Sequence, residues 1–253
     1  MRNIKLTLQY DGTPFSGLEL QPGKKTIRGE LEKALHKIFK APIKTISASR
    51  TDAGVHALAQ VVCFRLENKI PAAKIVAALN SCLPEGIRIL KAEEAGKDFH
   101  ARYGAKSKEY EYLIFNGEID SPFCQKLSWH VKYKLDIDAM RKAANILKGK
   151  HDFSSFCAAR SENKDFIRII YKISIRKRKL VVWNGCKLQV VSCKFEGNGF
   201  LYKMVRNMVG TIVEVGLGKI NLTDLRKILH GKDRKLAGRT APAHGLCLIR
   251  VNY

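Results

Sequence analysis

Apolar and polar residues alternate from the first positions of the chain. In Asn3-Ile4-Lys5-Leu6-Thr7-Leu8-Gln9-Tyr10 every second side chain is apolar, the period of a strand with one buried face. Asp11-Gly12-Thr13-Pro14 breaks that period as a turn. Thr26 then stands as the N-cap of a helix that gathers Leu31, Ala34, Leu35 and Ile38 on one side. A second strand is expected near 43–48 and a third over Gln60–Leu66. A helix over Ala72–Leu83 follows, closed by the turn Pro84-Glu85-Gly86. These elements make a first α+β unit.

A basic connector, Arg102-Tyr103-Gly104-Ala105-Lys106-Ser107-Lys108, leads to a strand over Glu109–Phe115 that opens a second unit. Helical spacing returns over Asp136–Lys148, with Met140, Ala144 and Leu147 inward. Strands follow near 167–177 and 187–196, then a long helix over about 199–215 and a short one over Thr223–His230. No repeat of solenoid length occurs. The expected fold is α+β, with two similar ferredoxin-like or RRM-like halves of mainly antiparallel sheet flanked by helices. The expected division is an N-terminal half, 1–104, and a C-terminal half, 105–253.

Charge changes what such halves are for. Lys and Arg total 46 against 23 acidic residues, a net charge of +23, while 45% of the 253 residues are hydrophobic. That apolar share supports packed cores rather than a disordered basic tail. The cations run along the length, as in Lys177, Arg178 and Lys179 and again in Lys232, Arg234 and Lys235. Such a distribution can neutralise several backbone phosphates and predicts salt-sensitive nucleic-acid binding. Seven cysteines, at 63, 82, 124, 157, 186, 193 and 247, form no Cys-x-x-Cys and no zinc-ligand spacing with His. They read as small buried hydrophobes in a reducing compartment. The start lacks a signal peptide's apolar stretch, and no segment approaches the roughly 20 apolar residues that span a bilayer. A soluble, intracellular, cytoplasmic protein without a membrane or metal partner is expected.

The residue with the strongest claim to chemistry is Asp52, in Ser49-Arg50-Thr51-Asp52-Ala53-Gly54-Val55-His56-Ala57. Asp-Ala-Gly after a strand makes a tight turn and holds a carboxylate at a sheet's rim, among cations that attract a polyanion. On spacing alone, an aspartate that hydrogen-bonds its own turn is the favoured reading. The run Arg50–Ala57 resembles the signature of TruA-type tRNA pseudouridine synthases. Further blocks agree in order: Tyr10-Asp11-Gly12-Thr13, Asp98-Phe99-His100-Ala101-Arg102, Tyr110-Glu111-Tyr112, His151 to Phe156, Gly197 to Leu201 with Met204-Val205-Arg206-Asn207, and Thr240 to Leu246.

That resemblance implies the pseudouridine synthase fold, with a cleft between its halves. It also implies isomerisation of uridine to pseudouridine at positions 38, 39 and 40 of the tRNA anticodon stem-loop, without metal or organic cofactor, by a homodimer. By the same likeness, Asp52 is the nucleophile or base, Tyr110 stacks on the target base and Arg206 is the guanidinium of the active centre. Arg50 meets a phosphate, and His56 is either structural or an RNA contact. Three positions depart from the family's pattern: Ser49 where glycine is usual, Leu18 where tryptophan is usual, and Lys203 in place of histidine. Ser49 is expected to strain the turn that presents Asp52. A non-catalytic RNA-binding protein, or a nucleoside hydrolase that cleaves without rejoining, would share much of this pattern.

Overall fold

The computed structural model describes residues 1–158, 165–181, 183–185 and 187–253; Cys186 lies outside them. The chain folds into two compact units, Met1–Lys106 with Cys247–Tyr253, and Ser107–Leu246.

In the first unit the order is β1 (Arg2–Tyr10), α1 (Ile27–Phe39), β2 (Ile46–Ser47), β3 (His56–Leu66), α2 (Ala72–Asn80) and β4 (Ile87–Ala95). The opening alternation becomes β1, whose Ile4, Leu6, Leu8 and Tyr10 are buried. β1 lies antiparallel between β3 and β4, and β2 pairs antiparallel with β3. The resulting order β4-β1-β3-β2 is that of a split βαβ, ferredoxin-like sheet. Thr26 caps α1 as expected, its side chain accepting from the Gly29 amide at 3.2 Å.

Two of its elements are shorter than their patterns. The strand expected over 43–48 reduces to two residues because Glu32 takes both the amide and the hydroxyl of Thr45, at 2.8 and 2.9 Å, and draws that backbone out of the ladder. α2 ends at Asn80, whose side-chain amide pairs with both backbone groups of Ile89 in β4.

The second unit contains β5 (Ser107–Asn116), β6 (Trp129–Val131), α3 (Ile137–Leu147), β7 (Gly149–Asp152), β8 (Ile167–Val181), β9 (Lys187–Gly197), α4 (Met204–Gly216) and α5 (Leu222–Gly231). Its strands run β5-β9-β8-β7 with antiparallel pairing, while β6 adds parallel to β5. Asp136 caps α3, and Met140, Ala144 and Leu147 are buried as their spacing requires. α4 is buried on nearly every side. It begins at Met204, later than the expected 199, because Lys203 sits in the left-handed region at φ 59° and the preceding Gly197-Asn198-Gly199 is not helical. Phe200, ahead of the helix, is half-buried.

The last strand, β10 (Leu246–Asn252), corrects the expected division at 105–253. Cys247 and Leu248 pair in parallel with His56 and Ala57 of β3, so Cys247–Tyr253 belong to the first unit. Tyr253 closes a small core of Ala48, Val61, Cys63 and Ala101, its hydroxyl donating to the Ala101 carbonyl at 2.7 Å.

Candidate active site

Asp52 opens the reversal that links β2 to β3. Its carbonyl accepts from the Val55 amide at 3.1 Å, and Gly54, third of the four residues, has φ 77°. That is the type II β-turn, whose third position favours glycine. The Asp52 side chain is half-buried and Arg50 is exposed.

The loop after β1 holds this turn from outside. Leu18 donates to the Thr51 carbonyl at 3.0 Å. Gly17, at φ 94°, lies so close that a β-carbon would stand 3.0 Å from the Thr51 oxygen and 3.1 Å from the Ala53 nitrogen. At Gly12 a β-carbon would fall 2.0 Å from the Val55 carbonyl oxygen. The Tyr10 hydroxyl meets the Thr51 hydroxyl at 2.7 Å.

Gln60, fully buried in β3, completes the clamp. It accepts from the Ser49 amide at 3.2 Å, donates to the Ser49 carbonyl at 2.8 Å, and reaches the Tyr10 hydroxyl at 3.3 Å. Ser49 is outside the left-handed region, so serine carries no backbone strain there. The expected strain is thus absent. Leu18, the second departure, is buried.

His56 is buried, and its Nδ1 accepts from the Gly12 amide at 3.2 Å while facing Asp11 Oδ1 at 3.1 Å. An accepting Nδ1 is the neutral ring's nitrogen, so this contact with Asp11 is no ion pair in that tautomer. These two contacts tie His56 to the loop after β1.

In the second unit, Arg206 occupies the first turn of α4 and is half-buried. Its Nε donates to the Ala241 carbonyl at 2.8 Å, and its own carbonyl accepts from the Ala241 amide at 3.2 Å. The neighbouring Asn207 is fully buried. Its oxygen accepts from Thr240 at 2.7 Å and Arg234 at 3.1 Å, and its nitrogen donates to the Phe156 carbonyl at 2.7 Å. Segment 237–242 is thereby fastened to α4, and so is the arginine's first nitrogen.

Tyr110 and Tyr112, on one face of β5, are both buried, with 5% and 0% exposure. Tyr110 meets Phe200 edge-on at 5.2 Å and 83°. The Tyr112 hydroxyl donates to the Pro242 carbonyl at 2.8 Å. Burial pushes the Tyr112 phenol above its ordinary range, opposing the pull of Arg206 and Arg239, and keeps it a donor.

Sequence reasoning named Asp52, Arg50, Tyr110 and Arg206 as candidates but assigned no part in holding them to Tyr10, Gln60, Asn207 or Ala241. Tyr10 was visible as a member of the block Tyr10-Asp11-Gly12-Thr13 and Gln60 only as the start of an expected strand. Among the described residues, no group of three or more His, Cys, Asp or Glu could hold a metal ion, and no helix is long and apolar enough to cross a membrane.

Residues 7–104 and 143–253 match the family model described as tRNA pseudouridine synthase. The chain is similar to proteins named tRNA pseudouridine synthase A from Brevibacillus brevis and from a Thermoanaerobacter species, each 44% identical over 253 residues and covering 100% of both chains. It is also 44% identical over 252 residues to that of Bacillus licheniformis, covering 99% of this chain and 98% of the relative. Among solved structures, the archaeal box H/ACA sRNP Nop10-Cbf5 complex overlaps with a TM-score of 0.36 at 12% identity, over 92% of this chain and 59% of that one, which is too weak to argue from.

Proposed function

This chain belongs to the tRNA pseudouridine synthase family, and from that premise we propose that it converts uridines 38, 39 and 40 of the tRNA anticodon stem-loop to pseudouridine, with Asp52 as nucleophile or base. Tyr110, Arg206 and Arg50 are the substrate-binding residues of this reading. It acts as a homodimer in the cytoplasm.

The observation that carries the reading is the clamp around Asp52. A carboxylate at the corner of a type II turn is ordinary, but one whose turn is fixed by Gly12, Gly17, Leu18, Tyr10 and Gln60 has its backbone preorganised. Isomerisation breaks the N1–C1′ bond, turns the uracil while it stays bound, and joins C5 to C1′. The C5 proton leaves to water and N1 gains one, so no oxidant, reductant or second substrate enters. The Asp52 carboxylate can serve this by attack at C1′, by attack at C6, or by removing a ribose proton to give a glycal. Each route needs the same group held in the same place. Tyr110 is buried with its ring edge-on to Phe200, so in this reading the ring is uncovered before it stacks on the base.

Transfer RNA tritiated at uracil C5 tests the reaction. The wild-type protein releases tritium to water without free uracil, and mapping places the new pseudouridines at 38–40. Free uracil would identify a hydrolase, and tight binding with neither product a non-catalytic RNA-binding protein.

A further inference from the structure

The block Asp98-Phe99-His100-Ala101-Arg102 and the tyrosine after it build an unusual surface in the first unit. Tyr103 is 78% exposed. Its ring nonetheless lies against the His100 imidazole, with centroids 4.4 Å apart and planes 31° from parallel, and the Arg102 guanidinium stands 5.6 Å from its centroid. We propose that Tyr103, backed by His100, is a stacking platform for an unpaired base of the bound tRNA other than the uridine being isomerised. This rests on tRNA as the substrate.

A single exposed aromatic is commonplace on protein surfaces. What separates Tyr103 is how firmly it is mounted. His100 Nδ1 accepts from the backbone amides of both Arg102 and Tyr103, at 3.2 and 3.1 Å, which fixes the ring's orientation and puts its proton on Nε2 when neutral. The turn closes with the Gly104 amide on the His100 carbonyl at 2.9 Å. Its base is tied inward at Ala101, whose amide donates to Cys63 Sγ at 3.4 Å and whose carbonyl takes the Tyr253 hydroxyl. The buried Asn3 side chain donates to the Phe99 carbonyl at 2.8 Å. An aromatic face held this way loses little freedom when a flat partner settles on it.

Charge selects the partner. Residues 97–106 carry Lys97, Arg102 and Lys106 against the single acid Asp98. A base offers the flat face and its phosphates offer the anions that those cations attract. The platform also stands apart from the Asp52 turn. Its anchor Cys63 lies seven residues along β3 from His56, a run of about 23 Å at ~3.3 Å per residue. In this proposal the nucleotide stacked on Tyr103 and the one reacting at Asp52 are different residues of the same tRNA.

Direct titration of the full-length protein with unmodified tRNA tests this. Tyr103→Ala should raise the Kd about five- to a hundred-fold, while Tyr103→Phe, which keeps the face, stays within about twofold of wild type. Tyr133→Ala, which removes an equally prominent exposed tyrosine of the second unit, should leave Kd unchanged. Tyr103→Trp supplies a readout that a structural role would not give: its fluorescence is quenched as tRNA is added. Wild-type affinity in Tyr103→Ala overturns the proposal. So does an affinity loss matched by Tyr103→Phe, or a Tyr103→Ala effect confined to oligomeric state, which would mark a protein-binding surface. Failure of the wild-type protein to release tritium would strike the isomerase reading instead, since the binding comparison needs no turnover.

Discussion

Gly12 has no room for a β-carbon: one built there would lie 2.0 Å from the Val55 carbonyl oxygen, inside the turn that carries Asp52. Gly12→Ala must push that turn outward, and we predict a cost of about 2 kcal/mol or more, read as a melting temperature lower by about 4–8 °C together with loss of activity. A melting point within one degree of wild type would mean that the loop is not a clamp. As candidates, Asp52, Arg50, Tyr110 and Arg206 were legible because each lies in a contiguous block that resembles one of the family's. The contacts that hold the Asp52 turn were not. Tyr10 and Gln60 lie 50 residues apart, and their shared hold on Ser49 and Thr51 exists only once β1 and β3 are paired. The consequence of Ser49 could not be read from its identity, since it turns on a backbone angle that is ordinary here.

Elements whose signal is local followed their pattern closely. β1, α1, α3 and α5 begin and end near their caps and periods, with Thr26, Asp136 and Asn221 each accepting from the first turn. Long-range hydrogen bonds decided the others: Glu32 shortens β2 and Asn80 stops α2. β4, β6, β7 and β10 carried too little alternation of their own to be found. α4 provides the sharpest test at this scale. Gly210 lies inside it, where alanine is ordinarily favoured by about 1 kcal/mol, but a β-carbon there would sit 1.7 Å from the Arg239 carbonyl oxygen. Gly210→Ala should therefore destabilise by about 1–3 kcal/mol and free segment 237–242 from Arg206. A calorimetric melting point lowered by several degrees is expected, and one raised would show that the segment yields without strain.

The whole molecule is two α+β units, the first holding the Asp52 turn and completed by the chain's own C-terminus. The pairing of Cys247 with His56 joins residues 191 positions apart in sequence, and no local pattern encodes such a return. The net charge of +23 was legible at once and remains the reason a polyanion is drawn to the surface. Family membership supplies the reaction, and the account's own claim is that Asp52 performs it. Asp52→Asn keeps the size of the side chain and removes its charge, so it isolates chemistry from folding. Under single-turnover conditions with saturating enzyme and C5-tritiated tRNA, the account predicts tritium release slowed by about a thousand-fold or more, with tRNA Kd within about threefold of wild type. Release within about tenfold of wild type, or a loss explained by failure to bind tRNA, would contradict it.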